Sequence, residues 1–401
     1  MDNVGTVSLL RLYELDAADP YDFYRQLRES GPVQWDDWMR TWLVLGYDEI
    51  SALSRDNRLS GARIQSFYDQ LPATARTGMA PLKQALSDMM LFTEPPRHTR
   101  LRNLMKPGLT PRFIREMRPL VQTVADELLD RVLPTGRMDV IRDFSEPLSR
   151  TVIARLAGVD GPGTALLENW QGLLHEFFTQ SQAEVPRIQA LRAEFDHGAA
   201  ARRAGTADDM FSRMIAGRLD RAEYTDDEVF ANFLLLIDAG QATTTHLIGN
   251  AVLALLDHPD QLRLLRDDPD VGAGAAHELL RYDSSVQFTS RVALQDLEIG
   301  GRHIAEGESV ALVLGSGNRD PLHYPDPDRL DLRRRAADHL SFGHGIHYCL
   351  GGALALAEIE IALTTLLRRT RDLRLAETEQ DWLESVNFRF LKRLPVTFTA
   401  A

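Results

Sequence analysis

Several things are scarce in this sequence. One cysteine in 401 residues, Cys349, excludes an internal disulfide framework and agrees with a reducing compartment. Nowhere do about 18 apolar residues run uninterrupted. The opening Met1-Asp2-Asn3-Val4-Gly5 has no basic stretch leading into an apolar one. No membrane association is therefore expected, and a cytoplasmic location is. Positive charge is in deficit: 45 Lys and Arg against 58 Asp and Glu leave a net −13. That balance argues against nucleic acid as a partner, although an acidic chain can carry a local basic face. No Ser/Gly linker, low-complexity tract or fixed-period repeat divides the chain, so one domain over 1–401 is expected.

What is present is an ordinary globular composition, 44% hydrophobic and 26% charged, with ample length for a large core. The opening reads as α+β: a helix over Tyr21 to Ser30, strand-like Val33 to Trp35 and Trp42 to Leu45, then a helix over Tyr47 to Leu53. Between Ser60 and Thr93 the pattern weakens around Gly61, Pro72, Gly78 and Pro81, which reads as a long loop region. Helical periodicity dominates from Pro111 to Leu191, punctuated at Pro134, Gly136, Pro147, Gly158 and Pro162. Thr225-Asp226-Asp227-Glu228 is a capping box, with acids at the positive end of the helix dipole. The helix it opens should run to about Leu256, before Pro259, roughly 48 Å. Apolar nearly all round, it reads as a buried spine. A second helix ends near Tyr282. Strands are then expected at Gln287 to Val292, Leu297 to Ile299, His303-Ile304, Ser309 to Leu314, Val386 to Phe390 and Val396 to Thr399. The class is mainly α with a smaller β region.

The only cysteine stands in Phe342-Gly343-His344-Gly345-Ile346-His347-Tyr348-Cys349-Leu350-Gly351-Gly352, ahead of the helical run Ala353 to Glu358. Glycine on both sides describes a tight loop feeding a helix N-terminus, where exposed amides and the dipole favour a thiolate. A small buried hydrophobe is the ordinary reading of one cysteine. His344, His347 and Cys349 within six residues also raise a zinc site, but structural zinc needs four ligands and no second ligand cluster stands in the sequence.

The stretch resembles the haem-binding loop of cytochromes P-450, Phe-Gly-x-Gly-x-(His/Arg)-x-Cys-x-Gly, with every fixed position present. The resemblance implies the family's helical-prism fold with its long central helix, haem b on the Cys349 thiolate, which favours O–O cleavage, and glycines that let backbone approach the porphyrin. Glu278-Leu279-Leu280-Arg281 resembles the family's Glu-x-x-Arg pair, with Arg329 in Pro327-Asp328-Arg329-Leu330 as third partner, Leu330 standing where phenylalanine is commoner. The implied role of Glu278, Arg281 and Arg329 is structural. By the same resemblance His98 and Arg102, four apart on a helix beginning at Glu94, join Arg291 and His347 around the haem propionates. Phe342, Gly343 and Gly351 complete the haem contacts.

Asp238-Ala239-Gly240-Gln241-Ala242-Thr243-Thr244-Thr245 resembles the oxygen-binding segment Ala-Gly-x-(Asp/Glu)-Thr-(Thr/Ser). Gly240 costs about 1 kcal/mol relative to alanine in mid-helix, which suggests that something approaches the backbone. Thr243 can bond back to the carbonyl four residues earlier and is the candidate for steadying dioxygen and its protons, beside Ala239 and Gly240. The usual carboxylate is replaced by Ala242. Asp238 lies one turn earlier in an apolar run: it is either paired structurally or lines the distal pocket, as an anchor for a cationic or hydroxylated substrate or as a displaced proton relay. Leu235, Val286, Gln287, Phe288 and Phe390 are proposed pocket walls, with Phe388 beside them, and the Gly61 to Phe92 segment, with Phe67, Tyr68, Met89 and Met90, is expected to close over the substrate.

The family resemblance implies a bacterial monooxygenase, expected as a monomer, that hydroxylates or epoxidises a small molecule in specialised metabolism. Without a fused flavin domain, electrons from NAD(P)H would arrive through ferredoxin reductase and ferredoxin. Arg333, Arg334 and Arg335 are candidates for steering that acidic partner. Two alternatives stay open: use of peroxide, or coupling and rearrangement chemistry, because Ala242 replaces the acid; and a non-catalytic haem protein.

Overall fold

The computed structural model describes residues 8–10, 19–71, 73, 76, 79–159, 184–203, 209–221 and 224–401. Its helices in chain order are α1 (Tyr21–Glu29), α2 (Tyr47–Leu53), α3 (Ile64–Gln70), α4 (Ala80–Ser87), α5 (Arg97–Met105), α6 (Pro111–Val132), α7 (Glu146–Ala157), α8 (Glu184–Arg203), α9 (Met210–Arg221), α10 (Asp226–Asp257), α11 (Pro259–Asp267), α12 (Gly272–Tyr282), α13 (Leu314–Gly317) and α14 (Gly352–Arg369). The strands are β1 (Val33–Asp36), β2 (Thr41–Val44), β3 (Leu59–Ser60), β4 (Arg137–Asp139), β5 (Thr289–Ala293), β6 (Leu297–Ile299), β7 (Arg302–Ile304), β8 (Ser309–Leu312), β9 (Thr370–Leu375), β10 (Asp381–Trp382), β11 (Leu391–Arg393) and β12 (Pro395–Ala400). The mainly α character and the small sheets agree with the expectation from sequence.

Contacts divide the chain into two compact units. The first comprises Met1–Ser60, Val121–Leu148 and Thr243–Ala401; the second, Gly61–Leu120 and Ser149–Ala242. In the first, a five-stranded sheet runs in the order β1-β2-β8-β5-β3. Its β2–β8 pair is parallel, with Thr41 opposite Ser309, and β5 joins β8 antiparallel. Successive side chains alternate between faces, and here both faces are covered. Val44, Val310 and Leu312 join Tyr47, Ile50 and Leu340 on one side. Leu43, Leu45, Ala311 and Val313 join Tyr21, Tyr24 and Phe288 on the other. A three-stranded sheet, β4-β12-β9, brings the chain's last strand between two earlier ones.

In the second unit the aromatic rings of α8, α9 and α10 pack together, Phe211 stacking on Phe233 at 4.3 Å and Phe195 meeting Phe230 edge-on at 5.3 Å. The capping box forms as a reciprocal pair: Thr225 N–H donates to Glu228 Oε2 and Glu228 N–H to Thr225 Oγ1, both at 3.1 Å. These two bonds satisfy two amides that a helix start leaves orphaned.

The structure differs from the sequence reading in several places, among them the unexpected strands β3, β4, β9, β10 and β11 and the start of α5 at Arg97 rather than Glu94. The 61–92 segment contains α3, α4 and a short turn, Met90–Phe92, because Pro81 sits in the first turn of α4, where a missing N–H costs nothing. Pro72 and Gly78 lie outside the described residues, as does Pro162. Val386 to Phe390 is no strand: its one bridge is Val286 opposite Phe388. The strand expected at Gln287 begins at Thr289, and the one expected to reach Leu314 stops at Leu312, where α13 follows.

Candidate active site

In the first unit, Cys349 lies three residues before α14. Its N–H donates to Phe342 O at 2.8 Å, closing the loop on itself. Gly343 and Gly345 have φ of 65° and 73°, a region that disfavours any residue with a β-carbon. A β-carbon at Gly345 would run into the Ser54 carbonyl, and one at Gly352 would sit 3.3 Å from the Phe342 ring. At Gly343 and Gly351, on either side of the sulfur, it would meet nothing within 4 Å. Cys349 is exposed. A soft sulfur donor on a surface kept bare by two glycines fits a flat haem, which needs a thiolate and close backbone approach. The packed-hydrophobe reading of Cys349 is thereby corrected. Among the described residues no group of three or more His, Cys, Asp or Glu side chains could hold a metal ion.

Behind the loop, Glu278 is fully buried and accepts two bonds from Arg281, from Nε at 2.6 Å and Nη2 at 2.8 Å. Burying that carboxylate is tolerable only with such pairing. The further arginine on Glu278 is Arg334, Nε to Oε1 at 3.2 Å. Arg329 contributes its backbone carbonyl, which accepts from Arg281 and Arg334, while its side chain is exposed. Of Arg333, Arg334 and Arg335, Arg334 turns inward, Arg333 is paired to Asp268 at 2.7 Å while staying exposed, and Arg335 is exposed. Asn318 grips the loop's approach, accepting from Leu340 N–H at 2.7 Å and donating to Ser341 Oγ at 2.8 Å. Alongside, His339 Nδ1 accepts from Ser341 N–H and its Nε2 lies 3.3 Å from His277 Nδ1. Burial, with His277 close by, pushes His339 down to about 3.

The first unit also holds the other expected residues that follow Ala242. His347 is half-buried in the Gly345–His347 turn. Arg291 is buried on β5, donating to Thr289 Oγ1 at 3.0 Å and to Ser290 O at 2.8 Å. Three of the expected pocket walls separate. Gln287 donates to Ser284 O at 2.6 Å and to Tyr21 Oη at 3.4 Å. Phe288 is core, packed with Tyr21 and Tyr24. Val286 bridges to Phe388. Phe390 stacks between Phe388 at 4.8 Å and His246 at 4.0 Å. His246, one turn beyond Thr243 on α10, went unnoticed in the sequence because a histidine in an apolar run gives no signal of a ring partner from the tail.

In the second unit, His98 and Arg102 lie one turn apart on α5, His98 buried and Arg102 half-buried. Their helix is fixed by its other arginines. Arg100 donates to both oxygens of Glu228, at 2.8 and 2.6 Å, and Arg97 donates to Glu228 at 3.0 Å and to Asp88. Burial resists ionisation of Glu228, but bonds from Arg100, the Thr225 amide and Arg97 outweigh it and hold the carboxyl at about 2. Asp238 and Leu235 are buried. Gly240 has a packing reason, since a β-carbon there would collide with Ile153 of α7; the approaching group is that side chain. Between Glu228 and Leu255 every residue of α10 is buried except Ala239, Gly240 and Thr243. Ala239 and Thr243 are four apart on one face, so the helix opens at the stretch expected to handle oxygen.

The profile of the family described as Cytochrome P450 matches residues 273–385. The biotin biosynthesis cytochrome P450 of Bacillus subtilis is 38% identical over 389 residues, 95% of this chain and 96% of that protein. Cytochrome P450 monooxygenase PikC of Streptomyces venezuelae is 37% identical over 390 residues, 95% and 91% of the two chains. The solved structure of P450BioI, with an acyl carrier protein bearing hexadec-9Z-enoic acid, superposes with a TM-score of 0.87 at 36% identity, covering 95% of this chain and 98% of that one. Likeness of this extent, in sequence as well as backbone, makes the chain a member of the cytochrome P450 family and an oxygen-incorporating oxidoreductase.

Proposed function

We propose that the protein is a haem-thiolate monooxygenase that hydroxylates or epoxidises a small organic molecule in specialised metabolism. It works as a single haem-thiolate domain in the cytoplasm, a monomer fed from NAD(P)H through ferredoxin reductase and ferredoxin. The observation that carries the reading is Cys349, exposed on a loop whose flanking glycines leave open space. When bound, haem b supplies the centre at which dioxygen is reduced and one oxygen atom passes to substrate.

The residues of the chain divide the remaining work. Cys349 would hold the haem iron through its sulfur, as a thiolate favoured by the amides at the start of α14. Phe342, Gly343 and Gly351 shape the surface around it. His98, Arg102, Arg291 and His347 supply the donors that two haem carboxylates need on leaving water. Thr243 holds a proton on Oγ1 at the open stretch of α10, next to Ala239 and Gly240, and Ala242 beside it can pass none. Asp238, Leu235, Val286 and Phe390 are assigned to the substrate; a buried carboxylate at Asp238 favours one with a cationic or hydroxyl group. Gln287 and Phe288 are assigned to structure.

The test is the carbon monoxide difference spectrum of the reduced holoprotein. Wild type should show the long-wavelength carbonyl band that gives the family its name, and Cys349→Ser should lose it; a wild-type protein without that band removes the haem-thiolate reading. Ala242 favours one second reading, peroxide-driven or bond-forming chemistry, and turnover that is faster with hydrogen peroxide than with a ferredoxin system would select it.

A further inference from the structure

Helix α2 has no part in the reading above, yet it touches the cysteine loop at more than one point. We propose that α2 is a template for the approach arm of that loop, residues 338–345, and that the Ser51 hydroxyl is the positioning residue on which its grip depends. The inference rests on the haem-thiolate reading for one of its two readouts and is independent of it for the other.

Tyr47, Ser51 and Ser54 recur on one face of α2 and its last turn, at i, i+4 and i+7. At the near end of the arm, Tyr47 Oη donates to Asp338 O at 2.7 Å and the Tyr47 ring stacks on His323 at 3.4 Å. His323 and Tyr324 in turn hold the Asp338 carboxylate, at 2.9 and 3.0 Å. In the middle, Ile50 and Leu340 both close on Gly317. At the far end, Ser51 Oγ lies 3.2 Å from His344 Nδ1, and Gly345 packs on the Ser54 carbonyl.

The far-end bond has a third partner. Arg55 Nη1 donates to Ser51 O at 2.9 Å and to Ser51 Oγ at 2.5 Å. A guanidinium can only donate, so the Ser51 hydroxyl joins Arg55 to the His344 ring through one oxygen. Burial with Arg55 nearby holds His344 below the usual histidine range. Gly343 and Gly345 on either side have the widest backbone freedom of any residue, so one side-chain bond between them restrains much of the arm. Ser51→Ala leaves His344 Nδ1 without this partner and the guanidinium of Arg55 pointing at a methyl.

Two measurements test this. In the carbon monoxide complex of the reduced holoenzyme at fixed sub-denaturing urea, Ser51→Ala should convert from the thiolate band to the shorter-wavelength form about fivefold faster than wild type, the worth of one hydrogen bond. Ser51→Thr, which keeps the hydroxyl, should convert at the wild-type rate, and the global unfolding midpoint of Ser51→Ala should stay with wild type. Amide hydrogen exchange of residues 343–349 should accelerate in Ser51→Ala even in haem-free protein. Unchanged conversion and exchange, or failure of threonine to rescue, overturns the template. A wild-type protein lacking the thiolate band would instead remove the haem-thiolate reading, and amide exchange would still decide the template.

Discussion

The guanidinium of Arg334 donates to Glu278 Oε1 at 3.2 Å, whereas Arg329, five residues earlier, reaches the same network only through its carbonyl. The two arginines should therefore differ sharply on substitution. Arg334→Ala removes a charged bond to a fully buried carboxylate and is expected to cost about 2 kcal/mol of unfolding free energy. Arg329→Ala should stay within about 0.5 kcal/mol of wild type. Urea unfolding of the two variants side by side checks the assignment, and equal losses would restore Arg329 to the network.

Glu228 closes the capping box and also binds two arginines of α5. Its folded carboxyl sits at about 2, below its ordinary 4.5. A depressed acid stabilises the fold above the unfolded value, and that contribution fades as pH falls from about 4.5 toward about 2. Glu228→Gln should cost about 1–2 kcal/mol at neutral pH, reduced by the partial exposure of the arginines. The gap between variant and wild type should narrow through that acid window in urea titrations.

His339 acts in a higher window. A histidine held near 3 instead of 6.5 is neutral when folded and binds a proton when unfolded, so the fold loses stability as pH drops from about 6.5 toward about 3. His339→Leu should flatten that part of the stability profile, measured by urea midpoints at successive pH values. A variant as steep as wild type would place the dependence elsewhere.

Asp238 is expected to serve substrate more than haem. Asp238→Ala should leave the carbonyl band in place while weakening the substrate-induced spin-state shift about tenfold, the scale of one charge-assisted bond. Spectral titrations of wild type and variant decide it, and unchanged affinity would make Asp238 structural.

Local chemistry made much of this molecule legible. Thr225 and Glu228 announced a helix start by spacing alone, and the glycines around Cys349 announced a bare loop. What stayed hidden depends on residues far apart in the chain. Gly240 signals that something approaches the backbone, but not that the approaching group is Ile153, 87 positions earlier. Arg329 and Arg334 are indistinguishable in sequence, since the choice between side chain and carbonyl is made by the turn at residues 326–334. Val286, Gln287 and Phe288 alternate toward different neighbours, which a list of adjacent residues cannot convey.

The sheet β4-β12-β9 has a consequence for synthesis. Its middle strand is Pro395–Ala400, paired on one side with Arg137–Asp139 and on the other with Thr370–Leu375. A ribosome that has delivered the cysteine loop still holds back the strand that joins these edges. This sheet can therefore close only once translation has passed residue 400.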